Sequence, residues 1–134
     1  MAKQWAIHPS REEVAFLLEA GVIFRDGRNF AAARDIFGGV RALLPSNEVP
    51  EVLLGTVDFQ EGKFSDARSH YQKALETNPR SALAHAHLGE AWLFDKDKEK
   101  ANTHFKTALS LDPTGESGKM ARRLMEMSDQ VQFV

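Results

Sequence analysis

Residues 81–113 read SALAHAHLGEAWLFDKDKEKANTHFKTALSLDP, and this stretch decides the fold. Apolar residues in its first half recur mostly at steps of three and four, which is the period of an α-helix. The charged run DKDKEK then interrupts the apolar pattern, as a turn would. Apolar residues return at helical spacing from Ala101, and Pro113 ends the run. Ser81 and Asp97 stand where N-caps are expected, so the stretch predicts two helices joined by a turn.

The same pattern occurs three times with a period of 34 residues and no insertion. Four columns keep this spacing: Gly21, Gly55 and Gly89; Ala33, Ala67 and Ala101; Phe37, Tyr71 and Phe105; and Pro45, Pro79 and Pro113. Agreement of four columns in register indicates an internal repeat. We therefore predict a single domain over residues 1–134, with repeats 14–47, 48–81 and 82–115.

The small and aromatic columns predict how the helices pack. Glycine and alanine would let the two helices of a repeat approach closely, while the aromatic residues would fill the space between neighbouring repeats. One helical pair cannot bury its apolar face alone, so stacked repeats make a continuous core. Residues 116–130 are predicted to be a capping helix, with an inner stripe of Met120, Leu124, Met127 and Val131.

Local signals predict where helices begin and where the chain turns. Ser10 and Glu13 match a capping box, so the first helix is expected to begin near Pro9. Gly27 is expected to supply the turn of the first repeat. In the second repeat, Gly62 is expected to turn the chain and Ser65 to cap the following helix.

Composition excludes several classes of protein. The chain has 17 Lys and Arg against 19 Asp and Glu, a formal charge of −2, which disfavours a general nucleic-acid binder. The absence of cysteine excludes disulfides, thiolate metal sites and a cysteine nucleophile. Neither a signal peptide nor a membrane-spanning segment is visible, so we expect a cytoplasmic protein that does not act at a membrane.

No constellation typical of catalysis or metal binding is found. His85 and His87 are two residues apart and would point to different faces of a helix, unlike a zinc-binding pair. The acidic run at Asp95, Asp97 and Glu99 lacks the glycine and the distal glutamate of a calcium loop. Phosphate-binding loops and nucleophile elbows are also missing. We therefore predict a protein that is not an enzyme and has no metal and no cofactor.

The chain resembles the tetratricopeptide repeat family over its three repeats and the following helix. In the third repeat, the residues that fit the family pattern are HLGEAW, Ala101, Phe105, Ala108 and Pro113. The second repeat departs from the pattern at Asp58, where an aromatic residue is usual, and the first at Val40, where alanine is usual. The resemblance implies an all-α, right-handed α-solenoid of three helix-turn-helix repeats plus a capping helix. It also implies a concave groove that binds a peptide or helix of another protein.

The resemblance assigns residues to this groove. The predicted peptide-binding residues are Leu18, Val22, Arg25, Val52, Thr56, Phe59, Leu83, His87, Glu90 and Leu93, with Ala15, Val49 and Ala86 at neighbouring positions. Because most of them are apolar, we predict a hydrophobic peptide or an amphipathic helix as the ligand. Some members of the family hold a chaperone's C-terminal carboxylate with Lys, Asn and Arg. Here those positions hold Leu18, Val22, Thr56, Leu83 and His87, which disfavours such a ligand.

Several alternatives stay open from the sequence. The same apolar residues would serve equally well in the core of the stack. They would also be covered in a homodimer, a self-associating scaffold whose interface is formed by Trp5, Ile7 and the first helix. Within the family, the short chain with an apolar groove is similar to the cytosolic chaperones of bacterial type III secretion, which hold secreted subunits. An adaptor or chaperone-like interaction module remains the principal prediction.

Overall fold

The computed structural model describes residues 8–130. In this range the secondary structure consists of seven α-helices without any strand. The helices are α1 (Arg11–Asp26), α2 (Phe30–Leu43), α3 (Val49–Gln60), α4 (Phe64–Thr77), α5 (Ala82–Phe94), α6 (Lys98–Leu111) and α7 (Glu116–Gln130). The all-α fold predicted from the sequence is confirmed. None of these helices is long and apolar enough to cross a lipid bilayer.

The helices pack in chain order as three hairpins, which are α1–α2, α3–α4 and α5–α6. Each hairpin contacts the next one, and α7 packs on both α5 and α6. The first helices of the hairpins also touch each other directly, since α3 contacts α1 and α5, and α5 contacts α7. Over the described residues α4 contacts neither α2 nor α6. The stack therefore curves, with α1, α3, α5 and α7 lining its concave side.

Side-chain caps begin three of the helices as the sequence predicts. Ser10, Ser81 and Asp97 accept a hydrogen bond from a backbone N–H three residues further on, at the starts of α1, α5 and α6. At Ser10 the full capping box is present. The prediction that Ser65 caps a helix is wrong. The turn before α4 is short and its N-cap position is Lys63, so Ser65 already lies inside the helix.

A left-handed residue turns the chain inside each hairpin. Gly62 has φ +80°, which agrees with its predicted role. In the first hairpin this conformation belongs to Arg28 at φ 66°, whereas Gly27 has φ −81°, so the prediction for Gly27 misses by one residue. Lys96 has φ 66° in the third hairpin. These turn positions follow the 34-residue period although only one of them is a glycine.

Glycine and aromatic columns meet inside each hairpin. A Cβ atom at Gly21, Gly55 or Gly89 would overlap the aromatic ring on the partner helix, which belongs to Phe37, Tyr71 or Phe105 respectively. The expectation that the aromatic residues mainly fill gaps between repeats therefore needs correction. Tyr71 does both, because it also shares a core cluster with Ala84 and Leu88 of the next hairpin.

The last helix covers the third hairpin. The side chains that α7 packs on the cluster around Phe105 are Met120, Ala121, Leu124 and Met125. Met127 is 58% exposed, so its predicted place in the inner stripe is wrong. The buried face of α7 runs through Ala121 and Ser128, one residue later than the predicted stripe. Val131 lies outside the described residues.

Candidate functional site

The ten predicted groove residues lie on the three helices of the concave side, where the structure divides them by exposure. Seven of them are partly exposed: Leu18, Val22, Arg25, Phe59, Leu83, His87 and Glu90. The surface that these seven side chains line is called the inner groove below. The other three are buried, since Val52 is 0%, Thr56 5% and Leu93 7% exposed.

Buried residues of the set support the groove from beneath. Val52 belongs to a core cluster with Tyr71, and Leu93 belongs to the cluster around Phe105. The reason lies in the position of α3, which is flanked by α1 on one side and by α5 on the other. Val52 and Thr56 on α3 are therefore covered, whereas their equivalents on the end helix α1, Leu18 and Val22, stay partly exposed.

The inner groove is apolar on the side of α1. Leu18 and Val22 are partly buried and pack on the cluster of Phe37, together with Leu53. Both side chains keep part of their surface free. This side of the groove is thus a ready contact surface for apolar groups.

An aromatic cluster forms one end of the groove. The ring centroid of Phe59 lies 5.0 Å from that of Phe94 in an edge-on arrangement and 5.2 Å from that of Phe64. Phe94 is 53% exposed. Phe64 and Phe94 were not among the predicted site residues. Phe94 directly follows Leu93 at the end of α5, and this exposed apolar position was the signal in the sequence.

Polar side chains occupy the middle of the groove. Arg25 Nη1 donates a hydrogen bond of 2.7 Å to Thr56 Oγ1, which in turn donates 2.6 Å to the carbonyl oxygen of Leu53. His87 Nδ1 lies 3.4 Å from Glu90 Oε1. The four side chains of Arg25, Thr56, His87 and Glu90 are called the polar centre below. They come from all three hairpins.

Beneath the polar centre lies a tyrosine whose hydroxyl group has no partner. Tyr71 is 0% exposed, and its Oη atom makes no hydrogen bond within the described residues. Its ring centroid lies 5.6 Å from that of His87. Burial raises the pKa of Tyr71, and the nearby charge of Glu90 raises it further while Arg25 opposes the shift. The sequence assigned Tyr71 only to packing, because it stands on the second helix of its hairpin.

The groove ends in a pocket between α5 and α7. Its volume is about 230 Å³, and its lining consists of Leu83, His87, Glu116, Ser117, Met120 and Arg123. Two of these residues were predicted groove residues, while the four from α7 were missed. The sequence pattern predicts only a capping role for α7. It therefore does not indicate that residues of this helix also line the groove.

The described part of the chain has no cluster of side chains that is arranged as a metal-binding site. No group of three or more His, Asp or Glu residues in residues 8–130 is placed to hold an ion. The closest approach of two imidazoles is between His85 and His104, whose Nδ1 atoms are 3.1 Å apart. Two ligands alone do not make a tetrahedral site.

Comparison with known proteins supports the fold at two levels. Residues 52–116 match the sequence profile of the family described as tetratricopeptide repeat. No curated protein matches the chain at a significant level of sequence similarity. Solved structures match nearly the whole chain, however, at identities that establish the fold alone.

Three of these structures illustrate the similarity; two are tetratricopeptide repeat domains and one is a chaperone. The first repeat domain of Spaghetti (RPAP3), solved with the HSP90 peptide SRMEEVD, is 22% identical with a TM-score of 0.71, covering 92% of this chain and 96% of its own. The Sgt2 domain of Aspergillus fumigatus is 18% identical with a TM-score of 0.75, covering 91% and 80%. The type III secretion translocator chaperone SycD of Yersinia enterocolitica is 15% identical with a TM-score of 0.75, covering 91% and 92%. These matches confirm the predicted α-solenoid fold.

Proposed function

Because residues 52–116 belong to the tetratricopeptide repeat family and the described chain has the fold of its domains, we propose a role in protein interaction. The protein is a non-enzymatic adaptor or chaperone-like module. It binds a hydrophobic peptide or an amphipathic helix of another protein in the inner groove. The single observation that carries this proposal is the row of partly exposed apolar side chains on the concave side.

The free energy available from this surface is sufficient for specific binding. Leu18, Val22 and Leu83 keep part of their apolar surface exposed, and the aromatic cluster adds the open face of Phe94. Covering about 400 Å² of apolar surface contributes roughly 10 kcal/mol before the cost of ordering the ligand. Micromolar or tighter affinity is therefore within reach without ion pairs.

The proposed ligand differs from the acidic peptide bound by the Spaghetti (RPAP3) domain. That domain supports the proposal, since it shows that this fold binds a peptide. In this chain the positions that the resemblance assigns to carboxylate binding hold Leu18, Val22, Thr56, Leu83 and His87. Without lysine or arginine at these five positions, an acidic C-terminus lacks the cations that offset its desolvation in the carboxylate-binding members of the family.

Charge substitution in the groove tests the proposal. A library of random displayed peptides is selected against the wild-type protein, and binding of the enriched peptides is then measured by fluorescence anisotropy. Leu18→Asp and Leu83→Asp each place a carboxylate on a partly exposed groove position and should abolish binding. Val52 is unsuitable for this test because it is fully buried.

The control variant carries the same new charge on the outer side. Gln72→Asp lies on the exposed face of α4 and should bind as the wild type does. Far-UV circular dichroism verifies that all variants keep their helix content. Full binding by a folded Leu83→Asp variant would refute the groove as the binding surface.

Self-association through α1 is the second candidate, and a specific observation favours it. Phe16 is 69%, Ile23 70% and Phe24 41% exposed on α1. In an antiparallel pair of α1 helices centred on the small residue Ala20, Phe16 would face Phe24 of a second copy, and such a surface is self-complementary. The predicted contribution of Trp5 and Ile7 concerns residues outside the described range.

Concentration-dependent light scattering tests this candidate. If α1 is the interface, the wild type is a dimer at high concentration and Phe16→Glu is a monomer. If both proteins have the mass of a monomer at every concentration, self-association through α1 is excluded. Because the groove lies on the concave side, peptide binding by Phe16→Glu is expected to stay unchanged.

A chaperone for a secreted subunit is the finer alternative. SycD shares the fold over 91% of this chain, which is consistent with such a role. The ligand would then be an aggregation-prone secreted protein with an apolar segment. Co-expression with the product of a neighbouring reading frame should give a soluble complex, and Leu83→Asp should prevent this complex from forming. If the subunit is recovered in soluble form without this protein, the result counts against the role.

A further inference from the structure

The polar centre of the inner groove contains a carboxylate that lacks a strong cation. The Glu90 side chain is only 20% exposed. Within residues 8–130, no lysine or arginine nitrogen lies within ion-pair distance of its oxygens, and its closest basic atom is His87 Nδ1 at 3.4 Å. The nearby Arg25 is already engaged, because it donates to Thr56 Oγ1 at 2.7 Å and to Asp26 Oδ1 at 2.9 Å.

Two further polar atoms at the same place have no hydrogen-bond partner. One is Tyr71 Oη beneath the groove, and the other is His87 Nδ1 beside Glu90. Tyr71 is fully buried, and nearly all buried polar groups in folded proteins are hydrogen-bonded. Both atoms can accept a hydrogen bond, and the carboxylate of Glu90 accepts several. Tyr71 Oη also carries one O–H donor, so the unpaired groups of the centre accept more hydrogen bonds than they donate.

Binding of a purely apolar ligand would raise the free energy of this centre relative to the free protein. Covering the groove removes the remaining water from Glu90, and a buried carboxylate without a partner is strongly unfavourable. A ligand side chain that brings several N–H donors and a positive charge removes that cost. Lysine carries three such donors and arginine five.

We propose that the ligand of the inner groove combines its apolar anchors with one lysine or arginine, which pairs with Glu90. This inference rests on the proposed function of the groove. The same groove also offers apolar side chains, with Leu83 two turns earlier on α5 and Val22 on α1. The ligand is thus an apolar segment that contains a basic residue. The apolar lining of the groove accounts for the apolar residues, and Glu90 accounts for the basic one.

The peptide selection described above tests the inference when it is repeated with Glu90→Gln. Peptides enriched on the wild type should share a lysine or arginine among apolar residues. Their affinity for Glu90→Gln should fall about tenfold or more, since the charge-assisted hydrogen bond between the ligand's cation and the carboxylate is lost. Replacing the shared basic residue of a peptide by norleucine should weaken its binding to the wild type, with a much smaller effect on its binding to Glu90→Gln.

The matched control is Glu76→Gln, which removes a carboxylate from the exposed side of α4. It should bind all selected peptides as the wild type does. Enriched peptides that have no basic residue, or whose basic residue is indifferent to Glu90→Gln, would overturn this inference while the proposed function stands. Enriched peptides that still bind a folded Leu83→Asp variant, or the absence of any enrichment, would overturn the proposed function as well.

Discussion

The second and third hairpins carry different chemistry at equivalent positions. One period of 34 residues relates Glu51 on α3 to His85 on α5, and His70 on α4 to His104 on α6. In the second hairpin, Glu51 Oε2 contacts His70 Nδ1. In the third, the imidazoles of His85 and His104 stack with their centroids 5.4 Å apart. The same backbone frame thus holds an acid–base pair in one hairpin and two imidazoles in the next.

A second pair of equivalent positions differs in the same way. Arg34 on α2 and Arg68 on α4 are one period apart, and each reaches the first helix of the following hairpin. Arg34 Nη2 donates a hydrogen bond of 2.8 Å to Asp58 Oδ1. The guanidinium of Arg68 lies 4.1 Å from the ring centroid of Trp92 at the corresponding position. Both arginines also donate to a carboxylate just after that helix, Arg34 to Glu61 and Arg68 to Asp95. Asp58, the departure from the usual aromatic residue, is therefore matched by an arginine of the preceding hairpin.

These differences teach that the repeat constrains shape more strictly than charge. Gly55 and Gly89 have to remain small because each touches an aromatic ring. Asp58 and Trp92 are free to differ because a guanidinium binds a carboxylate and also stacks on an indole. Each hairpin interface consequently has its own electrostatics within a common packing frame.

The largest expected effect comes from removing the buried carboxylate of the second hairpin. Glu51 is 6% exposed and is held by His70 and by Arg41, whose Nη1 atom lies 3.2 Å from Glu51 Oε1. Glu51→Ala removes the charged acceptor of the hydrogen bonds from both side chains and should lower the free energy of unfolding by about 3 kcal/mol. The equivalent change His85→Ala should cost about 1 kcal/mol, because the contacts it removes, to His104 and to the carbonyl oxygen of Pro79, involve no carboxylate. Urea unfolding at neutral pH measures both, and equal losses would show that the two sites do not differ in energy.

The two arginines should differ by a smaller amount. Arg34→Ala leaves Asp58, which is 8% exposed, without its guanidinium partner and should cost about 2 kcal/mol. Arg68→Ala should cost about 1 kcal/mol, since its carboxylate partner Asp95 is 46% exposed and Lys100 Nζ still lies 4.3 Å from the centroid of the Trp92 ring. Urea unfolding of both variants measures the difference. A larger loss for Arg68→Ala would contradict the view that the carboxylate makes the first interface more demanding.

Acid should destabilise the two hairpins in different pH windows. Burial, together with the charge of His85, lowers the pKa of His104 from 6.5. The unfolded chain then binds the proton first, so stability falls as the pH drops below about 6.5. Burial alone would raise the pKa of Glu51, but His70 and Arg41 outweigh it and hold this pKa below 4.5. The contribution of Glu51 is therefore present above pH 4.5 and is lost at lower pH.

Single substitutions separate the two windows. His104→Gln should flatten the dependence of unfolding free energy on pH between about 6.5 and 4.5, while Glu51→Gln should flatten it only below 4.5. Chemical unfolding at a series of pH values gives both profiles. If His104→Gln leaves the upper window unchanged, the stacked imidazoles do not control it.

The fold could be predicted from the sequence because its decisive residues act locally. Gly89 has to be small because it touches the ring of Phe105, and Ser81 caps the start of α5. Both roles depend only on neighbours within one hairpin. The period then repeats the same arrangement along the chain. The all-α class and the α-solenoid fold followed from these columns and from the resemblance to the tetratricopeptide repeat family.

The candidate site was less accessible to the same reasoning because it depends on position in the stack. Val52 and Leu18 occupy equivalent places, yet Val52 is covered from both sides and Leu18 is not. Tyr71 and Arg123 stand on helices that the repeat assigns to packing and capping, although one lies under the polar centre and the other lines the pocket. The burial of Val52 and the positions of Tyr71 and Arg123 depend on neighbours that are distant in sequence. A periodic pattern carries no information about such neighbours.

The smallest effect extends the comparison to the first hairpin. Gly38 and Gly39 lie inside α2, whereas the equivalents of Gly39 are Lys73 and Thr107. A Cβ atom added at Gly39 would meet no atom within 4 Å, so nothing in the packing requires a glycine there. Gly39→Ala should therefore raise the free energy of unfolding by about 0.5–1 kcal/mol through the better helix propensity of alanine.

The matched control for this variant is Gly55→Ala, whose Cβ atom would overlap the ring of Tyr71. Because overpacking a core costs about 1–3 kcal/mol, this substitution should lower the unfolding free energy although it carries the same gain in helix propensity. Opposite signs in urea unfolding would show that only the glycines of the repeated column have a packing role. A loss of stability in Gly39→Ala would instead contradict the conclusion that no packing contact requires a glycine at this position.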